Sequence, residues 1–245
     1  MTRRPSPEAA ATCAIGVMAK APQSGRSKTR LCPPLTPNEA ASLSAAFLRD
    51  TTDTLARAAR SAPISPYAAY APPGAEALVA SHITPGTALV LADGTAPAPA
   101  AVAGFGRCLL QAVQGMLDRG HAAACVLSAD VPTLPARLLV EAARTLLAPG
   151  DRGVLGACDD GGYYLLGLKR AHAHLFAEIA WSTAFVADAT RARAREIGLD
   201  LVELEPWYDV DDAASLARLA AETAGAPAPV TRAALARLAR EAVPA

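Results

Sequence analysis

Short apolar runs alternate with stretches of helical repeat along most of this chain, and that alternation limits the fold more than any single residue does. Runs at 13–18, 67–71, 88–91, 122–127 and 153–157 have the compact, apolar character of strands buried in a parallel sheet. Helical patterns lie between them at 36–59, 76–82, 107–117 and 135–147. The first of these opens on Thr36-Pro37-Asn38-Glu39: a capping threonine, proline at the first helical position and a glutamate three residues after the cap. This rhythm predicts an α/β fold, a Rossmann-like doubly wound sheet with helices on both faces. Two more helical patterns, 213–224 and 231–243, flank the segment APAPV near the end. With no internal repeat and no second core visible, residues 1–245 read as one domain with its core at about 13–224.

Charge excludes whole classes of partner. The 23 basic and 23 acidic residues cancel, so no bulk field gathers nucleic acid or an anionic membrane, and no stretch approaches the length of a membrane span. Charged ligands must be held locally. Five cysteines, Cys13, Cys32, Cys108, Cys125 and Cys158, are odd in number and widely spaced, and they read as reduced thiols of a cytoplasmic protein. The opening MTRRPSPEAAATCAIGVMA places two arginines before an apolar run, but Pro5, Pro7 and Glu8 interrupt it, and the run serves better as a first strand than as a secretion signal.

In a doubly wound sheet, ligands bind outside the carboxyl ends of the strands, and four motifs fall at such ends. The first, AKAPQSGRSKTRL, carries Lys20, Gly25, Arg26, Lys28 and Arg30. It has neither the P-loop nor the dinucleotide spacing, yet it can surround phosphate oxygens with charge-assisted hydrogen bonds. A solvated basic loop would look the same. In the second, LSADVPTL, the lone carboxylate of Asp130 follows an apolar strand and suits Mg2+ or Mn2+ bridging phosphates. A capping role for Asp130 competes less well, because Thr133 or a neighbour closer to Pro135 is better placed to cap. Ser128 lacks the surroundings of a nucleophile elbow. The third, DDGGYY, is a hairpin signal whose Gly161 and Gly162 also permit close backbone approach, with Asp160 on the acceptor side. The fourth, WYDVDD, sets Asp209 and Asp211 on one face of an extended segment, while Asp212 or Asp211 caps the next helix. His172 and His174 read as surface residues of a polar connector.

In this order and spacing AKAPQSGRSKTRL, SADVPTL, DDGGYYLLGLK, WSTAFVADAT and WYDVDD resemble the DUF2064 family, from about residue 14 to 219. That family is placed among the GT-A-like nucleotide-diphospho-sugar transferases and is also described as radical-SAM- or selenodomain-associated transferase 1, or as an arsenosugar-biosynthesis glycosyltransferase. The resemblance implies a GT-A fold with a mainly parallel mixed sheet and a nucleotide over the first loop. It also implies a divalent cation (Mg2+ or Mn2+) near Asp130; Asp209 and Asp211 are the candidates for further ligands from their spacing, with only one or two of the three late acids free of the helix cap. Asp160 and Asp130 become the catalytic candidates, and Gly161, Gly162, Tyr163 and Trp181 the acceptor side. Gly104-Phe105-Gly106-Arg107 stands where family members show LGxR, which makes Arg107 a candidate for ligand contact, against a role in tying its helix to the sheet. The chain departs from the family with Ser128-Ala129-Asp130-Val131-Pro132 in place of Gly-Ser-Asp-Cys-Pro, and with Ala157 in place of a proline before the acidic pair.

Two chemistries fit these residues. One is glycosyl transfer from a nucleotide-sugar to a small-molecule acceptor, with the metal neutralising the leaving diphosphate and an acid such as Asp160 orienting or deprotonating the acceptor hydroxyl. The other is nucleotidyl transfer from an NTP to a phosphorylated small acid with release of pyrophosphate, as in the guanylyltransferases of deazaflavin-cofactor biosynthesis, whose first loop also carries a KxRL element. The resemblance favours the first. A nucleotide-binding module without chemistry is the control, and intact acids at Asp130, Asp160 and Asp209 argue against it. No nucleic-acid or membrane partner is expected, and a homodimer is kept open.

Overall fold

The computed structural model describes residues 11–222 and 227–241. Seven strands form one sheet: β1 (Cys13–Lys20), β2 (Ile64–Ala71), β3 (Ala88–Leu91), β4 (Ala123–Ser128), β5 (Arg152–Ala157), β6 (Tyr163–Leu168) and β7 (Asp200–Glu203). They lie in the order β3-β2-β1-β4-β6-β5-β7. Every neighbouring pair is parallel except those made by β6, which runs antiparallel to both β4 and β5. The expected mainly parallel, Rossmann-like α/β sheet is therefore present. Its helices are α1 (Pro37–Ala58), α2 (Glu76–His82), α3 (Phe105–Leu117), α4 (Ala136–Leu147), α5 (Val186–Glu196), α6 (Ala213–Ala221) and α7 (Pro229–Glu241). Among the described residues no helix is long and apolar enough to cross a membrane.

Alternation along each central strand builds two cores. Cys13, Ile15 and Val17 of β1 and Ala123, Cys125 and Leu127 of β4 join Leu48 and Leu55 of α1 and Leu138, Leu139 and Leu146 of α4 on one face. Ala14, Ala124 and Val126 point the other way, to Leu109, Val113 and Met116 of α3 and to Ala187 and Ala194 of α5. Because both faces are covered, the strands read as unbroken apolar runs. A third, smaller cluster of Leu31, Leu43, Phe47, Tyr208, Val210, Leu216 and Leu219 gathers the first loop, α1, the WYDVDD segment and α6. That cluster fixes two distant parts of the chain against each other beside the strand ends.

Several boundaries follow the expected chemistry. Thr36 accepts from Glu39 N while the Glu39 carboxylate accepts from Thr36 N, the reciprocal cap that the sequence announces for α1. Asp212 caps α6 through Ser215 N at 2.8 Å. Thr133, expected near the α4 cap, does not cap it: its hydroxyl accepts from Trp207 Nε1 at 3.2 Å and donates to Tyr208, and α4 starts after Pro135 with no side-chain cap. Strand β7 and helix α5 were not foreseen, since β7 has four half-exposed or exposed residues and α5 buries mostly small ones. The helix expected at 213–224 ends at 221, and the one expected at 231–243 spans 229–241; residues 223–224 and 242–243 lie outside the described residues.

Helix α7 docks on α1 through a buried charge. Asp50 is 1% exposed, and its carboxylate accepts from Val230 N at 3.2 Å and Thr231 N at 2.6 Å. These are first-turn amides that a helix leaves unpaired, and the positive end of the helix dipole adds to the attraction. Asp50→Ala should cost about 1–3 kcal/mol, because it strands those amides and opens the α1–α7 contact. Denaturant unfolding measures the loss, and a midpoint equal to that of the parent would contradict this account of the joint.

Candidate functional site

A cleft runs over the carboxyl ends of β1 and β4 and divides into two lobes. The larger, about 710 Å³, is bordered by Lys20, Gln23, Arg26, Ser27, Lys28 and Arg30 around the first loop, by Ala69 and Ala71 at the end of β2 and by Ala92 just past β3. The smaller, about 330 Å³, is bordered by Asp160, Gly162, Tyr163, Trp181 and Asp209. Met18, Arg30, Phe105, Ala129, Asp130 and Asp211 border both, so the lobes meet where β1 and β4 end.

The first loop owes its shape to Ser27, a residue the sequence reading passed over. Ser27 is buried; its hydroxyl accepts from Gln23 N at 3.1 Å and donates to Ala21 O at 3.0 Å. Gly25 turns the loop with φ +71° and touches neither lobe, so its contribution is conformational. Among the described residues the side chains of Lys20 and Arg26 make no hydrogen bond or ion pair, and both face the larger lobe. Lys28 has left-handed backbone (φ 52°), and its side chain turns inward. Its ammonium lies 2.8 Å from Asp130 Oδ1 and 3.0 Å from Asp211 Oδ1 and donates to Val210 O at 2.5 Å. Burial alone would lower the Lys28 pKa, but Asp130 and Asp211 together hold it above the ordinary lysine value. Arg30, largely exposed, reaches the other oxygen of Asp211 at 3.3 Å.

The late acid segment crosses from one strand end to another. Trp207 N donates to Ala157 O at 3.1 Å and Asp159 N to Trp207 O at 3.1 Å, which continues the edge of β5; Val210 N then donates to Asp130 O at 2.8 Å just past β4. Asp209 is thereby set beside the β5 end and Asp211 beside the β4 end. The three acids expected as one ligand set, Asp130, Asp209 and Asp211, thus divide: Asp130 and Asp211 share Lys28, whereas Asp209 groups with Asp160 and Cys158. One ligand atom from each of those three lies within 4.8 Å of the others. A register shift at Gly156/Ala157 precedes Cys158 and re-aims the strand end toward the cluster. Burial first, and then the charges of Asp160, Asp211 and Asp130, push the Asp209 carboxyl up to about 7. A crowded pair of carboxylates with no ion-pair partner among the described residues suits a hard divalent cation, so the donor set at Asp160 and Asp209 fits Mg2+ or Mn2+, with the Cys158 thiol alongside.

On the acceptor side the hairpin glycines serve different ends. Gly161 has φ +88°, and a Cβ there would sit 2.0 Å from Ala184 O, so its close approach is to the 181–186 segment and not to a ligand. Ala187 N returns a hydrogen bond to Gly161 O at 2.9 Å. Gly162 N donates to Asp160 Oδ1 at 2.8 Å and orients that carboxylate. Trp181 donates to Ala103 O at 3.2 Å and meets the half-exposed ring of Phe105 edge-on at 5.8 Å. The Tyr163 ring borders the smaller lobe while its hydroxyl is buried without a hydrogen-bond partner. Arg107 takes the other reading weighed for it: its guanidinium donates to Gly94 O at 2.7 Å and Ala96 O at 3.0 Å, tying α3 to the loop after β3, and it borders neither lobe. His174 pairs with Glu196 at 2.6 Å, also away from the lobes. Cys158 and Phe105 went unassigned from sequence. The only signal for Phe105 was its place in GFGR, and Cys158 is held in the site by its bridge to Trp207 and its hydrogen bond to Gly162 O at 3.0 Å, contacts that join distant or turn residues.

Comparison with known proteins agrees with this architecture. A crystal structure of a proposed nucleotide-diphospho-sugar transferase from Desulfovibrio desulfuricans G20 superposes with a TM-score of 0.77 at 24% identity, covering 94% of this chain and 96% of that one. CMP:2-keto-3-deoxy-manno-octonic acid synthetase in complex with CTP superposes with a TM-score of 0.54 at 13% identity, covering 93% and 100%. At these identities the likeness is one of fold. No curated protein sequence matches. The profile of DUF2064, described as an uncharacterized protein conserved in bacteria, matches residues 54–183, just over half of the chain and inclusive of Asp130 and Asp160. This chain belongs to the DUF2064 family.

Proposed function

We propose that this protein is a divalent-cation-dependent transferase that holds a nucleotide-sugar in the larger lobe and transfers its sugar to a small-molecule acceptor in the smaller one. The observation that carries this reading is the polarity of the cleft. Lys20 and Arg26, unpaired among the described residues, border one lobe, the acid pair Asp160 and Asp209, without an ion-pair partner among the same residues, borders the other, and the two lobes meet at Asp130 and Asp211. Lys20, Arg26 and the exposed guanidinium of Arg30 bind the diphosphate oxygens. Asp160 and Asp209 hold the cation, whose chemistry is to neutralise the charge that builds on the leaving diphosphate. Asp160, steadied by Gly162 N, orients the acceptor hydroxyl and receives its proton, while Phe105 and Trp181 form an apolar wall that keeps water from the sugar. The D. desulfuricans protein, by its description, supports a nucleotide-diphospho-sugar as donor.

The first test is donor class. In Mn2+, nucleoside diphosphates and nucleotide-sugars should raise the melting temperature more than the matching triphosphates, and a preferred nucleotide-sugar should hydrolyse slowly without acceptor. The synthetase likeness carries the opposite outcome: triphosphate preference with pyrophosphate released on adding a phosphorylated acid would replace glycosyl by nucleotidyl transfer.

The second test is residue by residue. Lys20→Ala and Arg26→Ala should each weaken nucleoside diphosphate binding by about 1.5–3 kcal/mol, roughly ten- to over a hundredfold, as read by calorimetry. Parent-like affinity in both would leave the loop as solvated charge. Asp209→Asn should abolish the Mn2+-dependent part of nucleotide affinity and spare the metal-free part, and an unchanged Mn2+ titration would remove Asp209 from the ligand set.

A further inference from the structure

Lys28 differs from the other cations of its loop in being held inside the protein by two carboxylates and a backbone carbonyl. An ammonium carries three N–H donors. Hydrogen bonds to Asp211 Oδ1 at 3.0 Å and Val210 O at 2.5 Å take two of them, and an ion pair with Asp130 Oδ1 at 2.8 Å closes the remaining side. The side chain is 5% exposed, and the ammonium lies 5.5 Å from the centre of the Phe47 ring, a further attraction for a fixed positive charge. Reaching a phosphate would mean breaking one of these contacts.

Charge balance separates the two acid pairs. Asp130 and Asp211 carry two negative charges, met by Lys28 between them and by Arg30 on the outer oxygen of Asp211. Asp160 and Asp209 carry two when both are ionised, and among the described residues no lysine, arginine or histidine forms an ion pair with either; Arg218 is engaged with Asp159. The first pair is neutral as it stands. The second, once ionised, lacks two positive charges, the charge of one divalent ion.

We propose that Lys28 is a built-in cation: its ammonium occupies the position between Asp130 and Asp211 that a second divalent ion would otherwise take, so the cleft binds one metal ion and not two. Lys28 is then a positioning residue, and its contacts lock the first loop to Asp130 and to the 207–211 segment. The count of one ion rests on the proposed role of Asp160 and Asp209; the exclusion of an ion from Asp130 and Asp211 does not.

Equilibrium dialysis against Mn2+ tests this without any substrate. The parent should bind one ion per chain, and Lys28→Met, which keeps the stem against Phe47, should bind two. Asp209→Asn should bind none, and Lys28→Met combined with Asp209→Asn should bind one. A parent that binds none while Lys28→Met binds one would end the proposed metal role of Asp160 and Asp209 and leave the built-in cation standing. If Lys28→Met is unstable, its melting should recover in Mn2+ and not in EDTA; a chain unfolded in both overturns the proposal. So does a second ion in the parent, or a Lys28→Met chain that gains no ion. Loss of nucleoside diphosphate affinity by more than a hundredfold in Lys28→Met, with no ion gained, would make Lys28 the phosphate ligand instead.

Discussion

Acids that converge must be balanced, and the architecture around this cleft is arranged by that requirement. Asp130 leaves β4, Asp160 sits in the hairpin after β5, and Asp209 and Asp211 arrive on a segment that bridges both strand ends. Like charges drawn together away from water repel strongly, and the upward displacement of Asp209 is the local expression of burial first and that repulsion second. Lys28 answers half of it from within the chain. What it leaves unanswered lies at Asp160 and Asp209, beside the lobe where an acceptor would enter.

The scaffold holds these groups with ordinary means. The apolar cluster of Leu31, Phe47, Tyr208 and Val210 presses the first loop and the late acid segment together, so the Lys28 ammonium meets the Asp211 carboxylate across 183 residues of sequence only because that packing is already formed. Backbone hydrogen bonds from Trp207, Asp159 and Val210 then decide which acid faces which strand end. The cluster and the ion pairs are mutually dependent: removing the ammonium leaves two carboxylates facing each other over an apolar floor, and loosening the floor takes the ammonium out of reach.

Much of the fold was legible because its signals are local and redundant. The Thr36–Glu39 cap, the apolar runs of β1 and β4 and the Asp212 cap each rest on residues adjacent in sequence. The short, half-exposed β7 and the small-residue face of α5 carry no such pattern. Within the cleft, the sequence spacing of Asp209 and Asp211 suggests one shared face, but residues two apart in a strand are about 6–7 Å apart, enough for different neighbours. The division of the acids into two pairs therefore belongs to tertiary structure. The same holds for Lys28: nothing in KTRL announces a left-handed lysine turned inward, so its charge read as one more phosphate ligand. At Arg107 and Gly161 the residues stand where expected, yet a loop carbonyl and a neighbouring backbone take up the contacts first assigned to ligands.

The central claim is that positive charge is divided between a lysine on one acid pair and a metal ion on the other. A crystal structure with Mn2+ and a nucleoside diphosphate, phased on the manganese anomalous signal, tests it most directly. The account predicts a single anomalous peak between Asp160 and Asp209, the diphosphate against Lys20 and Arg26, and Lys28 still seated between Asp130 and Asp211. A peak between Asp130 and Asp211, with the Lys28 ammonium displaced onto the phosphates, would contradict it.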